Sequence, residues 1–212
     1  MIRQLREWAH PHTREGRYSP IGITFHWTMA GLITFQLGWG WRTSRLGVGP
    51  EKLEAYEVHA AVGLLILILA LLRMLYRIVI PGPINDADKP GWQRNAAHLT
   101  HYAFYLLFFA LPLSGWAMLS ATGRDIELSL FGLPWPHLPL DGLARETRWR
   151  LEEWAEQVHW LAVWGMLLLI PAHVGAALKH YFWDKDDVLP GMAPVLEELG
   201  DDEETETGSP AR

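Results

Sequence analysis

Apolar residues in this chain gather into four blocks separated by polar stretches, and each block has the length of a helix rather than a strand. The blocks run over about 21–41, 59–80, 96–121 and 157–183. A helix rises about 1.5 Å per residue, so about 20 apolar residues cross a hydrocarbon layer about 30 Å thick. Pro81 and Pro83 stop the second block, whereas Pro112 and Pro171 fall inside the third and fourth, where a bundle tolerates a kink. Residues 42–56 read as a short polar loop and 85–95 as a polar linker. The longer connection over 122–154 holds the turn-rich LFGLPWPHLP and then a charged, helix-prone stretch. The pattern predicts an all-α membrane protein, an antiparallel bundle of four transmembrane helices. A basic segment over 1–20 precedes the bundle of 21–190, and an acidic tail over 191–212, expected to be disordered, follows it.

The fourth block contains VHWLAVWGMLLLIPAHV, in which His159 and His173 stand 14 residues apart. That is about four helical turns, so both imidazoles point to nearly one face, roughly 21 Å apart along the axis. Alternation of four antiparallel helices then sorts the other histidines by depth. His59 opens the second block and His159 the fourth, at one membrane face. His26 opens the first block from the opposite face, towards which His173 is carried. The expected pairs are His59 with His159 and His26 with His173. A lone intramembrane histidine is often just a hydrogen-bonding link between helices. Four that pair by depth point instead to two bis-imidazole metal centres, the arrangement of electron-transfer b haems. Arg73 lies 14 residues after His59, at the depth of the His26/His173 centre, where a haem propionate would balance its charge. Gly22, Gly31, Gly63, Gly165 and Gly175 are candidates for close approach of a macrocycle to helix backbone. His98 and His101 are candidates for protonating a quinone, set against a plain interfacial role. His10, His12, His137 and His180 are read as non-ligands.

Composition narrows the chemistry. The 212 residues include no cysteine, which excludes disulfides, iron–sulfur clusters and thiolate-held haem. Twelve tryptophans, many at block edges, suit a membrane interface, and Trp39, Trp41, Trp116, Trp135, Trp160 and Trp164 are read that way. The net charge of −6 comes from 197–212; the rest carries 17 basic and 17 acidic residues, so nothing favours nucleic acid. Arg3, Arg6, Arg14 and Arg17 precede the first block without the apolar stretch of a cleavable signal peptide. With the N-terminus in the cytoplasm, ten basic residues fall on that side and seven opposite, which favours cytoplasmic N- and C-termini.

The motifs IGITFHW at 21–27, VHAAVGLLILILALLRMLYR at 58–77, AHLTHYAFYLLFFALPLSGW at 97–116 and LKHYFWDKDDVLPGMAP at 178–194, with His159 and His173, resemble the bacterial cytochrome b561 family. The resemblance covers about 18–194. It implies a dihaem cytochrome of the bacterial inner membrane whose iron ligands are His26, His173, His59 and His159, with ubiquinone or menaquinone as a redox partner. Some members look like superoxide oxidases that reduce ubiquinone. Arg145, Arg148 and Arg150 are candidates for attracting superoxide, diluted by Glu146, Glu152 and Glu153. The rival reading is a haem-carrying membrane anchor, related to hydrogenase and formate dehydrogenase subunits, that relays electrons between a partner dehydrogenase and quinone.

Overall fold

Helix α1, Pro20–Arg45, starts where Ser19 caps it: the hydroxyl accepts from the Gly22 N–H at 3.2 Å, and Pro20 suits the first helical position. This geometry comes from a computed structural model that describes residues 18–80, 90–122, 127–186 and 189–193. Helix α2 spans Pro50–Val79, α3 Gly91–Ala121 and α4 Arg145–Lys179, the last continuing into one π-helical turn, His180–Asp184. Between α3 and α4, strands β1 (Ser129–Leu130) and β2 (Leu133–Pro134) form a small antiparallel hairpin. Its two-residue turn places Phe131 and Gly132 at positive φ, the geometry that short hairpins need. A 3-10 turn, Pro190–Met192, follows, and the Trp27 indole N–H donates to the Met192 carbonyl at 2.8 Å. That contact ties Met192 to α1. The basic segment before Tyr18 and the acidic stretch after Ala193 lie outside the described residues.

The helices run past the apolar blocks. The expected loop over 42–56 shrinks to 46–49, because α1 continues to Arg45 and α2 starts at Pro50. The polar linker ends at Pro90, and α4 starts at Arg145 rather than 157. Hydropathy marks the slab from which water is absent; a helix can continue into water once its polar turns satisfy their own backbone. The exposed pairs Arg42–Glu51 and Glu146–Arg150, both 2.6 Å, decorate these extensions. At about 0–1 kcal/mol each, they follow the fold rather than cause it.

Among the described residues, three helices, α2, α3 and α4 with its π turn, are long and apolar enough to cross a membrane. Helix α1 is long enough but carries His26, Gln36, Arg42 and several threonines and glycines, which dilute its hydropathy. Outer faces stay apolar: Leu106 and Leu168 are 68% and 71% exposed, which suits lipid rather than water. Helix α1 packs on α2, α2 on α3, and α3 along α4, while β1 lies over α2. The buried core is Met29, Ile33, Val62, Ile66, Ala70 and Met166, with Leu107, Phe108 and Leu111 packed against it. Every one of these positions lies between the two levels at which histidines face inward.

Candidate redox centres

One spacing recurs on all four helices. Fourteen residues separate His26 from Gly40 on α1, His59 from Arg73 on α2, His101 from Gly115 on α3, and His159 from His173 on α4. Each interval is about four turns, roughly 21 Å. Helices α1 and α3 run one way and α2 and α4 the other, so these eight positions form two layers. One layer gathers His26, Arg73, His101 and His173; the other gathers Gly40, His59, Gly115 and His159.

The first layer brings the His26 and His173 rings to 6.2 Å between centroids with planes 51° apart. The second brings His59 and His159 to the same 6.2 Å at 65°. A metal ion held between two imidazole nitrogens at about 2 Å from each separates ring centroids by about 6 Å. Both pairs therefore have the spacing of a bis-imidazole centre, and all four rings are half-buried. With no cysteine in the chain, the donor set is that of a b haem.

The supports of the rings differ. On His159, Nδ1 lies 3.0 Å from the Leu111 carbonyl and 3.1 Å from Ser114 Oγ. A carbonyl only accepts, so Nδ1 carries the proton and Nε2 keeps its lone pair for a metal. Gly115 lies beneath the same ring: a Cβ there would stand 3.5 Å from His159 Cε1. His59 Nδ1, in contrast, is buried with no hydrogen-bond partner among the described residues. Its ring lies against Gly40, where a Cβ would come to 2.9 Å of Cε1. The Gln36 amide N–H donates to the His59 carbonyl at 2.6 Å, and the Trp39 indole to the Ala55 carbonyl at 3.0 Å, fastening α1 to α2 at this level.

In the first layer the Arg73 guanidinium acts electrostatically on His26, His101 and His173. Arg73 is half-buried. His101 stands 6.3 Å from His173, keeps an exposed edge, and feels Arg77 and His98 as well. Phe104 and His173 stand nearly perpendicular, with ring centroids 5.2 Å apart. His98, one turn before His101, is exposed.

Other candidates fall elsewhere. Gly22 lies against Ser19, Gly63 near Gln36 and Gly165 against Leu107, while Gly31 and Gly175 face open space; none of the five lies against a histidine ring. His137 approaches Ser120 at 3.4 Å. His180 pairs with Asp184 and Asp186 at the end of α4, and Lys179 offsets Asp184. His10 and His12 lie outside the described residues. Arg145 and Arg148 line a shallow cavity of about 780 Å³ with Trp149, Glu146 and Glu152, so its charge is mixed, and Arg150 is paired with Glu146. Reading the sequence passed over Gly40, Ser114 and Gly115. Gly40 and Gly115 were accessible by extending the fourteen-residue step from His26 and His101.

A profile of the prokaryotic cytochrome b561 family matches residues 17–194. The chain is 33% identical over 178 residues to cytochrome b561 homolog 2 of Escherichia coli strain K12, covering 83% of this chain and 90% of that protein. It is 29% identical over 181 residues to the probable superoxide oxidase CybB of Yersinia pestis, covering 84% and 96%. To cytochrome b562 of Cereibacter sphaeroides it is 29% identical over 183 residues, covering 84% and 95%. With a match of this extent around two histidine layers, the chain belongs to the prokaryotic cytochrome b561 family: a membrane-bound b-type cytochrome that transfers electrons.

Proposed function

We propose that this cytochrome holds two b haems, one between His26 and His173 and one between His59 and His159, and carries electrons across a bacterial inner membrane to quinone. The observation that supports this most is the equal 6.2 Å spacing of two imidazole pairs at two depths. Bound haem supplies reversible one-electron chemistry, and the residues here fix the irons, keep the interval between them dry and place charge. In this reading α1 is the fourth span, because it contributes His26 and joins the shared core through Met29 and Ile33. Both termini lie in the cytoplasm, as the distribution of basic residues favours. The His26/His173 centre is then cytoplasmic and the His59/His159 centre periplasmic.

Arg73 supports the cytoplasmic centre. A cation inside a span needs a counter-ion, and a haem propionate supplies one. Replacing Arg73 by Leu is expected to shift the absorption and midpoint potential of the His26/His173 haem and leave the other unmoved. Equal shifts in both would overturn the placement. We assign proton delivery to a quinone at this face to His101, which stands 6.3 Å from His173, with the exposed His98 one turn before it.

The donor we favour is superoxide, in line with the name of the Yersinia relative. Two superoxide anions give up one electron each and leave as dioxygen, while one quinone takes both electrons and two protons to become quinol. The test is direct. Purified protein should show a reduced b-type α band, two haems per chain by pyridine haemochrome assay, and superoxide-driven reduction of a short-chain ubiquinone. Colourless protein would sink the haem reading. Two haems with electron transfer only in the presence of a co-purified soluble dehydrogenase would replace superoxide with the anchor-subunit role.

A further inference from the structure

Helix α3 lacks any of the four proposed ligands, yet one turn of it surrounds the His159 ring. The Leu111 carbonyl takes the Nδ1 proton at 3.0 Å, Ser114 Oγ lies 3.1 Å from the same nitrogen, and Gly115 leaves room for the ring. Ser114 is buried, at 6% exposure, and its hydroxyl lies 2.6 Å from the Ala110 carbonyl and 2.9 Å from the Leu111 carbonyl. Having one proton, the hydroxyl gives it to the Ala110 carbonyl, the nearer acceptor. A lone pair is thereby left facing Nδ1–H, so the histidine proton is shared between two oxygens. Such back-bonding to the preceding turn is common for serine in helices and by itself does no more than bend them. What goes beyond bending here is the imidazole at the other side of the oxygen. His59 has no counterpart: its Nδ1 lacks a partner among the described residues.

We propose that Ser114 is a positioning residue for the His59/His159 haem, holding the His159 imidazole by Nδ1–H and lowering that haem's potential through the single buttressed ligand. The inference rests on the dihaem reading above. An acceptor on the distal ring nitrogen raises the basicity of the ligating nitrogen, which favours the more positive iron state and so draws the midpoint downward. The Leu111 carbonyl alone fixes the tautomer; Ser114 adds the second acceptor and blocks rotation of the ring away from it. The asymmetry matters because Nδ1 of the other proposed ligand, His59, has no hydrogen-bond partner among the described residues, so the effect is carried by His159 and confined to one centre.

The experiment is a visible spectroelectrochemical titration of the purified full-length protein, its S114A variant and its S114T variant. The unsubstituted protein is titrated first: two haem components establish the reading on which the inference rests, and one or none defeats that reading before any variant is compared. Given two, S114A should keep the haem-to-protein ratio and raise the midpoint of one component only. That component should be the one lost on replacing His159, and S114T, which restores the acceptor, should return it towards the starting value. Unchanged midpoints in S114A overturn the proposal, since a residue that only bends α3 leaves potentials alone. Equal movement of both components overturns it as well, as does a shift in S114A that S114T fails to reverse. If S114A loses the haem, retention in S114T supports the holding role, and loss in both variants counts against it.

Discussion

In the dihaem cytochrome proposed above, replacing His59 by Ala is expected to remove one haem, and replacing His159 by Ala to remove the same one. The rings stand 6.2 Å apart and belong to helices that share no other ligand at that depth. Each variant should therefore fall from two haems per chain to one, with the residual spectrum and midpoint being those of the His26/His173 centre. His26→Ala and His173→Ala should leave the complementary centre. The combinations discriminate more sharply than the single changes. A His59/His159 double replacement should cost nothing beyond either single one, because the second change removes a ligand from a centre already lost. Such strong non-additivity is the signature of residues acting as one unit. A His59/His173 double replacement should lose both haems, since it breaks one ligand of each pair. Pyridine haemochrome counts and redox titration read all six proteins. Two different centres lost from His59→Ala and His159→Ala would show that the ring pairs do not correspond to shared irons.

How much of this was readable from the residues depends on which atom does the work. Side chains with distinctive chemistry carry a sequence signal: helical rise and alternation alone set His26 against His173, His59 against His159 and Arg73 at the depth of the first pair, and the same rings stand 6.2 Å apart in the structure. Backbone and absent atoms do not. The Leu111 carbonyl that orients His159 has no signature in the sequence, and a glycine beneath a ring looks like any glycine in a membrane helix. Proximity in sequence to a proposed ligand is a poor guide. Gly175, two residues after His173, faces open space, whereas Gly40, four turns from His26, supports a histidine on another helix. His101 reads from the sequence as either a proton donor to quinone or a plain interfacial residue; its contact with His173, 6.3 Å between ring centroids, depends on how α3 packs against α4 and has no sequence signal. The polar turn at 50–56 reads as loop, and the helix-prone stretch before 157 reads as separate from the apolar block, because hydropathy reports the solvent around a segment, not its backbone geometry. The hairpin over 129–134 was visible only as turn-rich sequence, since two-residue strands carry no alternation to detect.

Replacing Gly40 by Ala is expected to lose or strongly deplete the His59/His159 haem, although the change is one methyl group of good helix-forming character. In an exposed helix interior, Ala is more favourable than Gly by about 0.5–1 kcal/mol. The methyl at position 40, however, would stand 2.9 Å from His59 Cε1, closer than carbon atoms normally approach. Either α1 retreats or the ring turns. Retreat is opposed by Gln36 on the His59 carbonyl and by Trp39 on the Ala55 carbonyl, which hold α1 to α2 one turn and one residue before Gly40. The Arg42–Glu51 pair bridges the same two helices just beyond it. The ring is the less restrained of the two on the protein side, because its Nδ1 has no hydrogen-bond partner among the described residues. The ring therefore yields, and an imidazole tipped from its line with His159 loses its place as the second ligand. Gly38 is the control on the same helix: a Cβ there meets nothing within 4 Å, so Gly38→Ala should keep both haems and leave thermal stability unchanged or slightly raised. The two variants are compared by haem count, reduced α-band spectrum and thermal unfolding of the detergent-solubilised protein. Full retention of both haems in Gly40→Ala would mean that His59 is not held against α1 at this level. Loss in both variants would point to glycine as a general packing requirement of α1 rather than to the one contact with His59.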